Sequence, residues 1–204
     1  AYKQAGHNLR KDLDSLPRIG LATEDEATSL SLFSRRISSR RFTEAPMERE
    51  AFERLLGCLR GLDIPQWPVV RHRYGSAGWT YAVQVYVLVR PGRIRELDGG
   101  CYDYHPLENA LVRMADAPED AATVFPGHNA DIFSHSAFAL FLVADMEAIR
   151  PLYGDRSEEF VLIEAGLMSQ LLEETAMEQR AGLCQIGALD FDRLRDSFSL
   201  GAGH

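Results

Sequence analysis

Two apolar runs, residues 81–90 and 137–144, constrain the fold more than any other feature of the chain. The first is rich in Val and Tyr, and the second reads Ala-Phe-Ala-Leu-Phe-Leu-Val-Ala. Aromatic and β-branched residues favour strands, and a run with little polar alternation belongs to a strand buried on both faces. Both runs therefore read as central strands. Around them, residues 30–36 read as a first helix. Residues 48–60 read as a second, in which Phe52, Leu55, Leu56 and Leu59 recur at helical spacing, with Gly61 just beyond. Residues 100–104 and 108–112 look like a hairpin around His105-Pro106, and residues 114–131 like loop or short helix. A long helix is expected over residues 157–180, with Leu162, Ala165, Gly166, Met168, Leu171 and Leu172 on its apolar face. Residues 182–187 then read as a short returning strand and 191–198 as a final helix. Helices and strands are mixed rather than strictly alternating, which argues for the α+β class over a doubly wound parallel sheet. Residues 1–28, broken by Pro17 and Gly20, read as an arm or linker, and residues 29–204 as one domain.

The formal net charge of -8 argues against nucleic acid and an anionic membrane surface as partners. No apolar run approaches the roughly 20 residues that a membrane helix needs. Cys58, Cys101 and Cys184 are odd in number and far apart, so they suit neither a disulfide framework nor a zinc site. The histidines add no metal-ligand spacing, and no metal is expected. A cytoplasmic location is the default for such cysteine usage. An alanine at the start and a Gly-Ala-Gly-His tail suggest a domain cut from a larger polypeptide.

Against this acidic background, residues 34–42, Ser-Arg-Arg-Ile-Ser-Ser-Arg-Arg-Phe, place four arginines and three serines in nine positions. Guanidinium forks and hydroxyl donors suit a phosphate or another polyanion. Composition alone favours a solvated basic face on the first helix; the segments further along reverse that and decide for the anion.

Those segments carry a family resemblance. Residues 36–42 resemble the Arg-x-Ser-x-Arg/Lys segment with which nitroreductase-type flavoproteins hold FMN. Residues 74–84, Tyr-Gly-Ser-Ala-Gly-Trp-Thr-Tyr-Ala-Val-Gln, look like the PSAGGLYPVQ segment of the azoline-dehydrogenase branch. Leu-Tyr-Gly-Asp-Arg at 152–156, Leu-Ile-Glu-Ala-Gly at 162–166 and Gln-Leu-Leu at 170–172 resemble that branch's KYGDR…LLEAGH…QNL run. Residues 181–187 are similar to the GLG-x-C-x-IG return strand. It is the ordered set, spanning roughly residues 30 to 200, that carries the resemblance. It looks most like the oxidase domain embedded in nonribosomal peptide synthetases, which dehydrogenates a carrier-bound thiazoline or oxazoline to the azole. The resemblance implies a nitroreductase-like fold, a central mainly antiparallel sheet flanked by helices. It also implies FMN, reoxidation by O2, and a homodimer with the flavin at its interface. The implied partners are a carrier-protein-tethered peptide intermediate and neighbouring synthetase domains. Three departures stand out. Ile37 replaces a frequent basic residue, Leu152 replaces the lysine before the tyrosine, and the family's C-terminal segment is missing after His204.

Carried over by position, Arg36 and Ser38 would hold the flavin phosphate or ribityl chain, and Arg40 the pyrimidine edge. The match of Phe42 sets aside the register with Arg35 and Arg41 inward. Ser76, Ala77 and Gly78 are small where backbone approaches a flat ring, with Gly78 open to positive φ, though an ordinary turn before a strand would use the same residues. Gln84 reads as a polar flavin contact or as a satisfied core amide. Ile186 and Gly187 would offer N–H groups near flavin N5, with Cys184 beside them as packing rather than a redox thiol. Tyr153 is the candidate base. A phenol, with its ordinary pKa of about 10, needs a neighbouring positive charge or donor for that role. Leu152 cannot supply it, which leaves Arg156 three residues on. The plainer account of Tyr153 is a turn tyrosine covering a helix start. His105, His128 and His135 are the other titratable candidates, His135 the best placed. The long helix, with Met168 and Gln170, is a candidate dimer element whose stripe otherwise is plain core. Two other functions fit the same residues: an NAD(P)H-dependent nitro- or quinone reductase, and a non-catalytic docking module.

Overall fold

In a computed structural model describing residues 11–13, 15–23 and 25–204, β1 (Val83–Val89) is an inner strand of a four-stranded antiparallel sheet. It pairs along its whole length with β4 (Phe138–Ala144), from Val83↔Ala144 to Val89↔Phe138. On its other side it pairs with β2 (Gly100–His105), from Tyr86↔Asp103 to Val89↔Gly100. The hairpin partner β3 (Ala110–Ala115) completes the order β3-β2-β1-β4. The two apolar runs pair with each other, but only β1 is central as expected: β4 forms an edge of the sheet, and most of its side chains are only partly buried.

Strand alternation sends successive β1 side chains into two cores. Val83, Val85, Val87 and Val89 pack with Phe52 and Leu55 of α2 (Arg49–Gly57) and with Met168, Leu171 and Leu172 of α5 (Ser157–Glu178). Tyr86 and Leu88 pack with Phe125, with Phe133 of α3 (His128–His135), and with Phe141, Leu194 and Phe198. Full burial of each Val, Leu or Phe side chain contributes roughly 1.5–3 kcal/mol, so both faces of the sheet are sealed mainly by the hydrophobic effect.

The described residues up to Arg35 form one unit and residues 36–204 another. The first unit contains α1 (Glu26–Arg35), which starts one turn earlier than the apolar spacing suggests. Asp25 explains the difference. Its carboxylate accepts the Thr28 N–H at 3.0 Å, satisfying one orphan backbone donor of the first turn, and the Thr28 hydroxyl at 2.6 Å. Those hydrogen bonds hold the Asp25 carboxyl below its ordinary pKa. A helix that the sequence reading missed, α4 (Met146–Tyr153), begins the same way. Asp145 accepts the N–H groups of Glu147 at 3.0 Å and Ala148 at 3.3 Å.

Three further expectations need correction. Residues 182–187 are irregular rather than a strand, because their cross-chain hydrogen bond goes to the Ser39 N–H and to no strand of the sheet. The final helix is two single 3-10 turns, Phe191–Leu194 and Asp196–Phe198, stopped by left-handed Ser199 at φ 51°. The apolar face of α5 is divided: Met168, Leu171 and Leu172 are buried, while Leu162 is 72% exposed. Met168 is thus core, and Gln170 is exposed with its amide donating to Glu174 at 3.1 Å.

Candidate active site

The turn leading into β1 is strained. Gly78, Trp79 and Tyr81 lie at φ 58°, 59° and 45°. For a residue with a Cβ the left-handed region costs about 1–2 kcal/mol, so neighbouring groups must hold this turn. Glu164 of α5, 1% exposed, supplies the hold. One of its oxygens accepts the Val83 N–H at 3.0 Å and the other accepts the Ser76 hydroxyl. The same Ser76 oxygen accepts the Tyr81 N–H at 2.8 Å. Burial pushes the Glu164 carboxyl above its ordinary pKa, while the donors from Ser76 and Val83 pull the other way. The sequence reading gave Glu164 no role. Its signal was an acid between Val161 and Met168, on the helix side that both leave for the core.

Gly78 faces Tyr153. A Cβ built on Gly78 would sit 2.7 Å from the Tyr153 hydroxyl oxygen, so only glycine allows this approach. Tyr153 ends α4 and packs on Phe160, ring centroids 4.6 Å apart. The structure therefore brings Ser76, Ala77 and Gly78 together with Tyr153. It does not bring Arg156 to that phenol: the guanidinium lies 5.1 Å over the Phe160 ring and pairs with Glu159 at 3.4 Å. Gly154–Arg156 is a 3-10 turn, which breaks the helical spacing assumed for the pair. Gln84 has its oxygen paired with the Tyr86 hydroxyl at 2.7 Å and with His204 Nε2 at 3.1 Å. Its amide nitrogen lies 3.5 Å from Asp145.

A second group forms where the arginine-serine segment meets the return segment. The Ser39 N–H donates to the Leu183 carbonyl at 2.8 Å. A Cβ on Gly182 would fall 2.8 Å from Ser39 Cβ and 3.2 Å from the Phe42 ring, so glycine is what lets the two chains touch. Ser38 is partly buried, whereas Arg36, Arg40 and Arg41 are exposed. Among the described residues none of these three arginines is paired with a carboxylate, although six other arginines are. Ile186 packs at the edge of the second core, Gly187 has open space around it, and neither backbone N–H has a partner among the described residues. No hydrogen bond among the described residues joins this group to the Gly78–Tyr153 group. Among the described residues none of the three candidate histidines hydrogen-bonds to either group, whereas His72 packs on Tyr81 of the turn with ring centroids 4.1 Å apart. His135 sits exposed on α3 beside Asp131, His128 is exposed at the start of that helix, and His105 accepts the Glu108 N–H in the hairpin turn.

Residues 33–203 match the Nitroreductase family model. The chain belongs to the nitroreductase family. Its antiparallel four-stranded sheet flanked by helices is the nitroreductase fold. A nitroreductase-named protein of Methanocaldococcus jannaschii is 26% identical over 121 residues, 59% of this chain and 60% of that protein. The chain thus spans about 60% of the length of the curated relative it matches. Among solved structures, a chain of the Escherichia coli microcin synthetase McbBCD complex, with truncated pro-MccB17 bound, superposes at TM-score 0.61 and 24% identity. That match covers 82% of this nitroreductase-family chain and 65% of the other. A nitroreductase-class structure from Ralstonia eutropha gives 0.62 at 18% identity, covering 92% and 82%. One from Anabaena variabilis gives 0.63 at 19%, covering 81% and 34%. Among the described residues of this nitroreductase-family chain, no helix is long and apolar enough to cross a membrane.

Proposed function

We propose that the chain is an FMN-dependent oxidase domain, residues 29–204, of a cytoplasmic nonribosomal peptide synthetase. Its substrate is a carrier-tethered peptide whose thiazoline or oxazoline ring it dehydrogenates to the aromatic azole. The observation that carries this reading is the meeting of Gly78 with the Tyr153 hydroxyl. The Ser-Ala-Gly and Tyr-Gly-Asp-Arg segments, each similar to the azoline-dehydrogenase branch, lie against each other although far apart in sequence. The microcin synthetase complex, with its bound peptide, supports a peptide substrate for this fold.

The donor set fits FMN. Arg36 and Arg40, unpaired with any carboxylate among the described residues, offer together with Ser38 charge-assisted hydrogen bonds to a phosphate and to the pyrimidine edge. The N–H groups of Ile186 and Gly187, without a partner among the described residues, suit the acceptor atoms of a flavin ring, and the Ala77–Gly78 backbone can approach its face. Ser76 and Gln84 serve by shaping that wall, since their side chains are bonded within the protein. Bound there, FMN supplies a hydride acceptor. In this role Tyr153 acts as the phenolate, whose oxygen takes the proton leaving the adjacent ring carbon, and the partly buried ring holds that oxygen beside Gly78. Leu162, Ile163 and Leu167, exposed along the outer side of α5, support a homodimer with FMN between two copies.

Purified with FMN, the chain should oxidise a peptidyl thiazoline, followed by azole absorbance. Tyr153→Phe should slow that turnover by about 100-fold or more while the protein stays yellow. Full activity in Tyr153→Phe removes the tyrosine from the mechanism. The nitroreductase names of the relatives favour a second reading, an NAD(P)H-dependent nitro- or quinone reductase. Rapid bleaching of the bound flavin by NADPH, with fast turnover of a nitroarene, would establish it over the oxidase.

A further inference from the structure

The turn that presents Gly78 is left-handed at three of four consecutive residues, Gly78, Trp79 and Tyr81, two of which carry bulky side chains. Such a conformation persists only where its surroundings over-determine it. Glu164 reaches the turn from the middle of α5, and both of its oxygens are directed there, one to the Ser76 hydroxyl and one to the Val83 N–H at 3.0 Å. Ser76 then binds the Tyr81 N–H at 2.8 Å, closing a ring of hydrogen bonds around the left-handed residues. No arginine, lysine or histidine among the described residues pairs with this carboxylate. A buried acid without a counter-cation is unfavourable, and a leucine would fill the same space without that penalty. What the acid supplies, and a leucine cannot, is two fixed acceptors.

We propose that Glu164 is a positioning residue of the active site: its carboxylate clamps residues 76–83 so that the left-handed turn sets Gly78 against the Tyr153 hydroxyl. The proposal rests on the reading of Gly78 and Tyr153 given above, because the clamp serves the reaction only if those groups meet flavin and substrate.

Trp79 lies inside the turn and the chain has only one other tryptophan, Trp67. In a Trp67→Phe background, Trp79 fluorescence anisotropy therefore reports the turn without flavin or substrate. Glu164→Ala is expected to lower that anisotropy and to weaken FMN binding by about tenfold or more. Glu164→Gln keeps an acceptor for the Val83 N–H and a hydrogen-bonding group for Ser76, so it should restore the anisotropy and most of the affinity. Wild-type anisotropy and affinity in Glu164→Ala overturn the proposal. Should that variant fail to fold, Ser76→Ala removes one arm of the clamp alone, and unchanged anisotropy there overturns it equally. Lowered anisotropy in the clamp variants together with full activity in Tyr153→Phe leaves the clamp standing and removes the role assigned to the tyrosine.

Discussion

The chain carrying both Arg36→Ala and Arg40→Ala should purify nearly colourless and bind FMN about 10² to 10⁴-fold more weakly than the parent. Each lost charge-assisted hydrogen bond is worth about 1.5–3 kcal/mol, and about 1.4 kcal/mol is a tenfold change in affinity. Quenching of flavin fluorescence on titration measures it directly. The loss should be confined to binding, because both side chains are exposed and neither is tied to a carboxylate among the described residues. Thermal unfolding of the FMN-free protein should therefore be unchanged. Lysine at both positions keeps the charge and loses the planar fork, so it should recover only part of the affinity. Parent-like FMN affinity in the double alanine variant would move the phosphate elsewhere.

The second large effect is expected from Gly78→Ala. The new methyl must adopt φ 58° and meet the Tyr153 oxygen 2.7 Å away. The backbone term alone is about 1–2 kcal/mol, and displacement of the phenol by about 1 Å is enough to lower turnover roughly 100-fold. The two contributions separate in a double-mutant cycle with Tyr153→Phe. Deleting the hydroxyl removes the atom that the methyl strikes, so the double variant should regain part of the stability lost by Gly78→Ala. Denaturant midpoints read the cycle, and strict additivity would show that the two residues do not press on each other.

These sites differ in how far the chain announces them. The strands were legible because Val83–Val89 and Phe138–Ala144 are nearly unbroken apolar runs, and α5 because its length and apolar content leave little choice. Missed starts, α1 and α4, depend on single capping aspartates, Asp25 and Asp145, whose effect is local and invisible to periodicity. The return segment carried strand-like residues, but strand formation needs a free ladder beside it, and Leu183 meets Ser39 instead. Within the candidate site, separate motifs could be read in order, yet which of them touch could not. Glu164 shows why. An acid in an apolar helix looks like surface until the fold places its two acceptors on a turn far away in sequence. Arg156 shows the converse, since helical spacing promised a contact that a 3-10 turn removes.

The two cores flanking β1 are closed by different means. One is walled by α2 and α5, whose backbones are internally hydrogen-bonded over many residues. The other is shut partly by short turns whose Phe191, Leu194 and Phe198 insert among Tyr86 and Phe141. Warming should therefore breach the sheet from the aromatic side first, baring Phe141 and Tyr86 while the valine side stays shut. A half-opened chain of that kind would be sticky before it is unfolded, and its shelf life would be governed by those last rings rather than by the long helix.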